Sequence, residues 1–163
     1  MNIVITQLPP DDWQKYRDLR LLALKTDPLA FASTLSEEVN LSEKSWRDRI
    51  HNMWFAISNQ QPAGMIGLLR PENESSHHCG NVISLWVKPE CQGRGIAKAL
   101  IRELQHISPK IGVKKLSLNV TVTQKAAIQL YESMGFQKIA LLKANLMKDG
   151  AYLDEHLMEW HGI

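Results

Sequence analysis

Gln92-Gly93-Arg94-Gly95-Ile96-Ala97, followed by Lys98, is the stretch of this chain best suited to hold a charged ligand. Glycine at 93 and 95 removes side chains that would keep an anion at a distance and opens backbone angles closed to other residues. Arg94 and Lys98 add positive charge, and Ala97 keeps the next position small. If a helix starts here, its first backbone N–H groups lack intrahelical partners and point at whatever lies ahead of them. The chemistry favoured is binding of a phosphate or pyrophosphate; the bland alternative is a glycine turn that merely starts a helix. The spacing is not the three-glycine dinucleotide fingerprint, nor a P-loop, since no Gly-Lys-Ser or Gly-Lys-Thr follows. His77-His78-Cys79 and Cys91 are the other residues with ligating chemistry, but they lack the close ligand pairs of structural zinc, and no metal site is expected.

The surrounding pattern supplies the elements that would position such a loop. Asn81 to Val87 reads as a strand ended by Pro89, and Ile96, Ala97, Leu100, Ile101, Leu104 and Ile107 recur at helical spacing up to Pro109. Strand, glycine loop and amphipathic helix are the context in which a glycine loop becomes a phosphate site. Upstream, Ile3 to Thr6 reads as a strand, and a helix entered at Pro9-Pro10-Asp11-Asp12 runs to about Thr26. Asp27-Pro28 stops it, Ala30 to Thr34 reads as loop, and Ser42-Glu43-Lys44-Ser45 opens a second helix carrying Trp46 and Ile50. Met53 to Ser58 and Ala63 to Leu69 form an antiparallel hairpin. Downstream come a strand from Leu116 to Val122, a helix from Gln124 to Met134 closed by Gly135, and a strand from Phe136 to Met147. Asp149-Gly150 then turns into a last strand, Tyr152 to Trp160, which pairs either within the chain or across a dimer.

This order predicts an α/β fold, a three-layer α/β/α sandwich around a mixed, mostly antiparallel sheet. The strand from Leu116 lies beside and parallel to that from Asn81. At 163 residues and 44% hydrophobic, residues 1–163 are expected to form a single domain. No stretch approaches a membrane span, and Met1 to Thr6 lacks a secretory pattern, so the cytoplasm is expected. Cys79 and Cys91 are expected to be free thiols. A net charge of +2 with scattered Lys and Arg argues against a nucleic-acid partner and is compatible with a small anionic cofactor.

The segment Leu118-Asn119-Val120-Thr121-Val122-Thr123-Gln124-Lys125-Ala126-Ala127-Ile128-Gln129-Leu130-Tyr131-Glu132-Ser133-Met134-Gly135-Phe136 is more specific. Together with Val87-Lys88-Pro89 and the Gln92 to Ala97 loop, it resembles the GNAT superfamily of N-acetyltransferases over roughly residues 81–136. The loop matches the superfamily's acetyl-CoA motif, and Ala127, Leu130, Tyr131, Gly135 and Phe136 match its downstream motif. The N-terminal run Arg20-Leu21-Leu22-Ala23-Leu24 with Asp27-Pro28-Leu29-Ala30-Phe31 also resembles many bacterial members, on the acceptor side where members differ most.

The resemblance implies a splayed sheet with acetyl-CoA as cosubstrate. The pantetheine arm would pair with backbone at Leu85 and Val87, and the pyrophosphate would lie on the amides of Gln92, Gly93, Arg94, Gly95, Ile96, Ala97 and Lys98. Tyr131 falls where a tyrosine commonly protonates the departing thiolate. Gln124 stands where the superfamily often has Asn, as a cofactor contact. On residue type alone Tyr131 reads as a packing aromatic beside Leu130 and Phe136; a neutral phenol near ~10 can nonetheless protonate a thiol titrating near ~8.5. The N–H of Val87 is the expected donor to the thioester oxygen; Trp86, on the opposite face, is the one tryptophan that could line the acceptor or cofactor cleft. The base is left unassigned: Ser84 could order a water through which Glu37, Glu38, His77 or His78 could receive the proton of the amine, each with solvated surface as its bland reading. The expected activity is acetyl transfer to a primary amine of a small molecule. A protein N-terminus or lysine as acceptor, and an acyl-CoA-binding module without turnover, are the alternatives.

Overall fold

A computed structural model describes residues 2–162. Among them seven strands hydrogen-bond in the order β1-β2-β3-β4-β5-β7-β6, giving the mixed sheet with flanking helices that the sequence predicted. By internal packing the chain divides into two compact units: the residues up to Leu68 with Ser84–Glu103, and Leu69–Ile83 with the chain from Leu104 onward.

In the first unit β1 (Ile3–Thr6), β2 (Met53–Ser58) and β3 (Gln61–Leu69) form an antiparallel meander. The hairpin turns on Asn59 and Gln60, both left-handed at φ 49° and 64°, so β3 begins two residues earlier than its apolar run suggests. α1 (Trp13–Thr26) buries Tyr16, Leu19, Arg20, Ala23 and Leu24, one stripe at helical spacing. The Tyr16 ring meets Trp46 of α3 (Glu43–Ile50) and Phe55 edge to face, at 5.3 and 5.6 Å between centroids. Between them lies a short helix absent from the sequence reading, α2 (Leu35–Glu38), held by a reciprocal capping box. Glu37 N–H donates to the Thr34 hydroxyl, and Thr34 N–H donates to the Glu37 carboxylate at 2.7 Å.

β4 (Cys79–Val87) is shared by the two units, its last four residues belonging to the first; α4 (Ile96–Ile107) follows it. Trp86 and Val87 are both buried, so Trp86 is a core residue rather than a cleft lining. β3 approaches so closely that a Cβ at Gly64 would lie 2.9 Å from the Trp86 carbonyl oxygen and 3.4 Å from Ile96. Glycine at 64 thus ties the end of β4 and the start of α4 to the meander.

In the second unit the first residues of β4 pair in parallel with β5 (Lys115–Thr121), Cys79 opposite Lys115 through Asn81 opposite Ser117. α5 (Lys125–Ser133) leads to β6 (Gln137–Lys148) and, through a turn at Asp149 and Gly150, to β7 (Ala151–His161). β7 pairs antiparallel with β5 from Lys115–His161 to Thr121–Glu155, and with β6 on its other edge. Both edges of the last strand are therefore filled within the chain, which decides the choice the sequence left open. Leu116, Leu118, Val113, Ile128, Phe136 and Met158 form this unit's core.

Candidate active site

The glycine loop is built in three steps from the end of β4. Pro89–Cys91 make a single 3-10 turn in which Cys91 N–H donates to the Lys88 carbonyl at 2.8 Å. The Gln92 side-chain amide then donates back to the Val87 carbonyl at 3.1 Å, so this side chain staples the loop to the strand. Gly93 and Gly95 follow, both left-handed at φ 74° and 77°. A Cβ at either would project into open space with nothing within 4 Å, so backbone angle rather than crowding requires glycine. The first α4 bond runs from Ala99 N–H to the Gly95 carbonyl at 3.0 Å, leaving Ile96, Ala97 and Lys98 N–H beyond any intrahelical acceptor. Gln92 to Gly95 and Lys98 are exposed and Ile96 is buried, anchoring the helix while its donors face outward. An open, positively charged N-terminus of a twelve-residue helix suits an anion such as a pyrophosphate.

Three residues before the end of β4, the strand carries a left-handed residue of its own, Ser84, at φ 58°. A non-glycine residue there costs about 1–3 kcal/mol and interrupts the in-out alternation of the strand. Gly80 and Val82 are buried before it, whereas Trp86 and Val87 are buried consecutively after it. The Ser84 hydroxyl accepts from Arg20 Nη1 at 3.0 Å. Arg20 also donates through Nε and Nη2 to the two Glu38 carboxylate oxygens at 2.9 and 2.8 Å, and its guanidinium sits 4.6 Å from the Phe31 ring centre. Burial pushes the Glu38 carboxyl upward. The hydrogen bond and charge of Arg20, a hydrogen bond from Ser33 and the charge of Arg49 outweigh it and hold Glu38 below the ordinary glutamate value. Glu38 is therefore an ionised, fully partnered group, and Glu37 is engaged in its capping box; neither is a spare proton acceptor.

Tyr131 belongs to the second unit. The end of α5 is fixed by a Schellman arrangement in which Gly135 is left-handed at φ 86° and Phe136 N–H donates to the Tyr131 carbonyl at 3.0 Å. The Phe136 ring returns against the Tyr131 ring, 5.7 Å between centroids and at 61°. Both backbone and ring of Tyr131 are thereby held. Burial pushes its phenol well above the ordinary tyrosine value, so the hydroxyl keeps its proton across the physiological range. Gln124 caps α5 through its backbone and makes no side-chain capping bond. His77 and His78 are exposed on the loop before β4. Among the described residues no group of three or more His, Cys, Asp or Glu is assembled to hold a metal.

The structure thus gathers Leu85, Val87 and Gln92 to Lys98 in one unit, with Gln124 and Tyr131 in the other. The sequence reading missed the pairing of Arg20 with Glu38. Its signal was a charged residue on the buried stripe of α1, which demands a partner.

A model of the acetyltransferase (GNAT) family matches residues 13–136. The chain belongs to that family. It is 31% identical to N-acetyltransferase 8B of Rattus norvegicus over 104 residues, covering 63% of this chain and 47% of the relative. It is 29% identical to mycothiol acetyltransferase of Kocuria rhizophila over 132 residues, covering 78% of this chain and 43% of the relative. The chain spans about half the length of the curated relatives it matches. Its fold is similar to that of a GNAT superfamily phosphinothricin acetyltransferase from Sinorhizobium meliloti in complex with acetyl-CoA, with a TM-score of 0.79 and 19% identity over 99% of this chain and 90% of that one. Among the described residues no helix is long and apolar enough to cross a membrane.

Proposed function

We propose that this chain is an acetyl-CoA-dependent N-acetyltransferase that moves acetyl to a primary amine of a small molecule by direct attack on the thioester. The observation that carries the reading is the pair of left-handed glycines opening α4, with open space where their side chains would stand and the N–H groups of Ile96, Ala97 and Lys98 beyond any intrahelical acceptor. These residues fit a pyrophosphate: Gly93 to Lys98 would hold it on backbone N–H groups, with Arg94 and Lys98 adding charge. Acetyl-CoA, when bound, supplies an acetyl group activated as a thioester. Leu85 and Val87 would pair with its pantetheine arm, Val87 N–H would donate to the carbonyl oxygen, and Gln124 would contribute a further contact. Tyr131 would hold a proton at its phenolic oxygen and release it to the departing sulfur as the new C–N bond replaces the C–S bond; the proton shed by the acylated nitrogen would pass to solvent, from which the phenolate would be reprotonated. Its raised pKa keeps that proton on the phenol until the sulfur departs.

The family match spans segments of both units, which supports one N-acetyltransferase domain. A small-molecule acceptor is supported by the mycothiol acetyltransferase relative. Cys79 and Cys91 stand as free thiols, which supports the cytoplasm.

The test is release of free CoA thiol from acetyl-CoA across a panel of polyamines, amino acids, aminoglycosides and N-terminal peptides, repeated with Tyr131→Phe. Release that depends on one amine class and falls on the order of a hundredfold in the variant is expected. Undiminished release with Tyr131→Phe would remove the acid role. Thermal stabilisation by acetyl-CoA with no release for any amine would leave an acceptor outside the panel or a cradle that serves binding alone.

A further inference from the structure

Arg20 spends its three donor positions in an unusual way. Two bind the Glu38 carboxylate from α2, and the third reaches Ser84 on β4, a residue of the same unit but 64 positions away in sequence. Arg20 and Glu38 are 7% and 3% exposed, and a pair buried to that degree pays a desolvation penalty that apolar side chains of equal size would avoid. Stability alone gives little reason to keep it there. The hydrogen bond to Ser84 does, because Ser84 is the one point where β4 adopts a backbone angle unfavourable to its own side chain. The chain is fixed again at the end of β4, by the close seat of Trp86 on Gly64 and, just past the strand, by Lys88 N–H donating to the Ala63 carbonyl at 2.8 Å. Leu85 to Val87 therefore run between two anchors, one made by the meander and one made by Arg20.

We propose that Arg20, oriented by Glu38, is a positioning residue that holds Ser84 left-handed and so sets the path of the Leu85 to Val87 backbone for cosubstrate binding. The inference rests on the acetyl-CoA reading above for what that backbone binds. Phe31, stacked on the guanidinium, and Arg49, 3.4 Å from the Glu38 carboxylate, complete the clamp. The Ser84 hydroxyl on this view serves as the handle by which the backbone is held and orders no water for the chemistry.

Two substitutions in the intact protein separate these roles. Ser84→Ala removes the handle and keeps a Cβ in the left-handed position, whereas Ser84→Gly removes the handle and the strain together. Acetyl-CoA affinity measured by calorimetry is expected to fall about tenfold in Ser84→Ala and to stay within about twofold of wild type in Ser84→Gly. Amide hydrogen exchange at Leu85 to Val87 without ligand should accelerate in Ser84→Ala and much less in Ser84→Gly. Should Ser84→Ala fail to fold, Ser84→Asn, which tolerates the left-handed region, is expected to behave as Ser84→Gly does. Equal loss of turnover in the Ala and Gly variants at unchanged affinity would overturn the proposal in favour of a chemical role for the hydroxyl. Equal affinity and equal exchange in both would overturn it in favour of a plain packing role. If wild type itself bound no acetyl-CoA, the functional reading would fall, while the exchange experiment would still decide the positioning role.

Discussion

The loop at Gly93 to Gly95 and the bend at Ser84 solve the same backbone problem in opposite ways. Both need left-handed residues beside the proposed cosubstrate path. The loop uses glycine, which adopts that angle freely and leaves open space above it. The bend uses serine, and holds it there with a buried guanidinium that itself requires a buried carboxylate, a ring and a second arginine. One solution is local and the other depends on three helices and loops far apart in sequence. The first should be sensitive only to what happens at its own residues, the second to changes in distant parts of its unit.

The largest effect should come from the distant support. Glu38→Gln leaves the Arg20 charge buried without its counter-charge and is expected to destabilise the protein by about 3–5 kcal/mol, or on the order of 10 °C in melting temperature. The Glu38 carboxyl is depressed in the folded state, so its stabilisation is complete above the ordinary glutamate value of about 4.3 and is lost as pH falls through the depressed one. Urea titrations between pH 3 and 7 should accordingly show a steeper acid loss in wild type than in Glu38→Gln; parallel curves would mean that the pair is not ionised. Next in size, Gly95→Ala places a Cβ on a left-handed residue and is expected to weaken acetyl-CoA binding by about 1–3 kcal/mol, roughly fivefold to 150-fold, with little response to changes at Arg20 or Glu38. Coupling between Gly95 and Glu38 in a double-mutant cycle would break the contrast between local and supported bends. The smallest effect belongs to Gln60, left-handed at φ 64° in an exposed hairpin with neither glycine nor clamp. Gln60→Gly is expected to raise stability by about 1 kcal/mol and to leave acetyl-CoA affinity unchanged.

The same contrast explains what could be read from the sequence. Gly93 and Gly95 announce themselves, because glycine between a strand and an amphipathic helix has few other uses. Ser84 does not, since serine inside an alternating apolar run looks like any half-exposed strand residue, and its angle follows from a partner supplied by α1. Arg20 was visible as a charge on the buried stripe of that helix, but its partner lies on α2, whose four residues were too short for a periodicity to show. The strand order β5-β7-β6 was likewise not fixed by local pattern: adjacency of β5 and β7 is a long-range choice made by register, and only the Asp149-Gly150 turn signalled that β6 and β7 would pair.

That strand order also has a consequence for assembly of the chain on the ribosome. β7 is the last of the seven described strands to emerge, yet it lies between β5 and β6, and its seven pairings with β5 run from Lys115–His161 to Thr121–Glu155. Until residues 151–161 have left the exit tunnel, β5 has an unfilled edge and β6 has no neighbour. The meander of β1, β2 and β3 has by then been complete for some eighty residues of synthesis. Nascent chains should therefore pass through a stage with one half structured and the other presenting open strand edges, the stage at which a holdase or a second nascent chain would compete with β7 for β5.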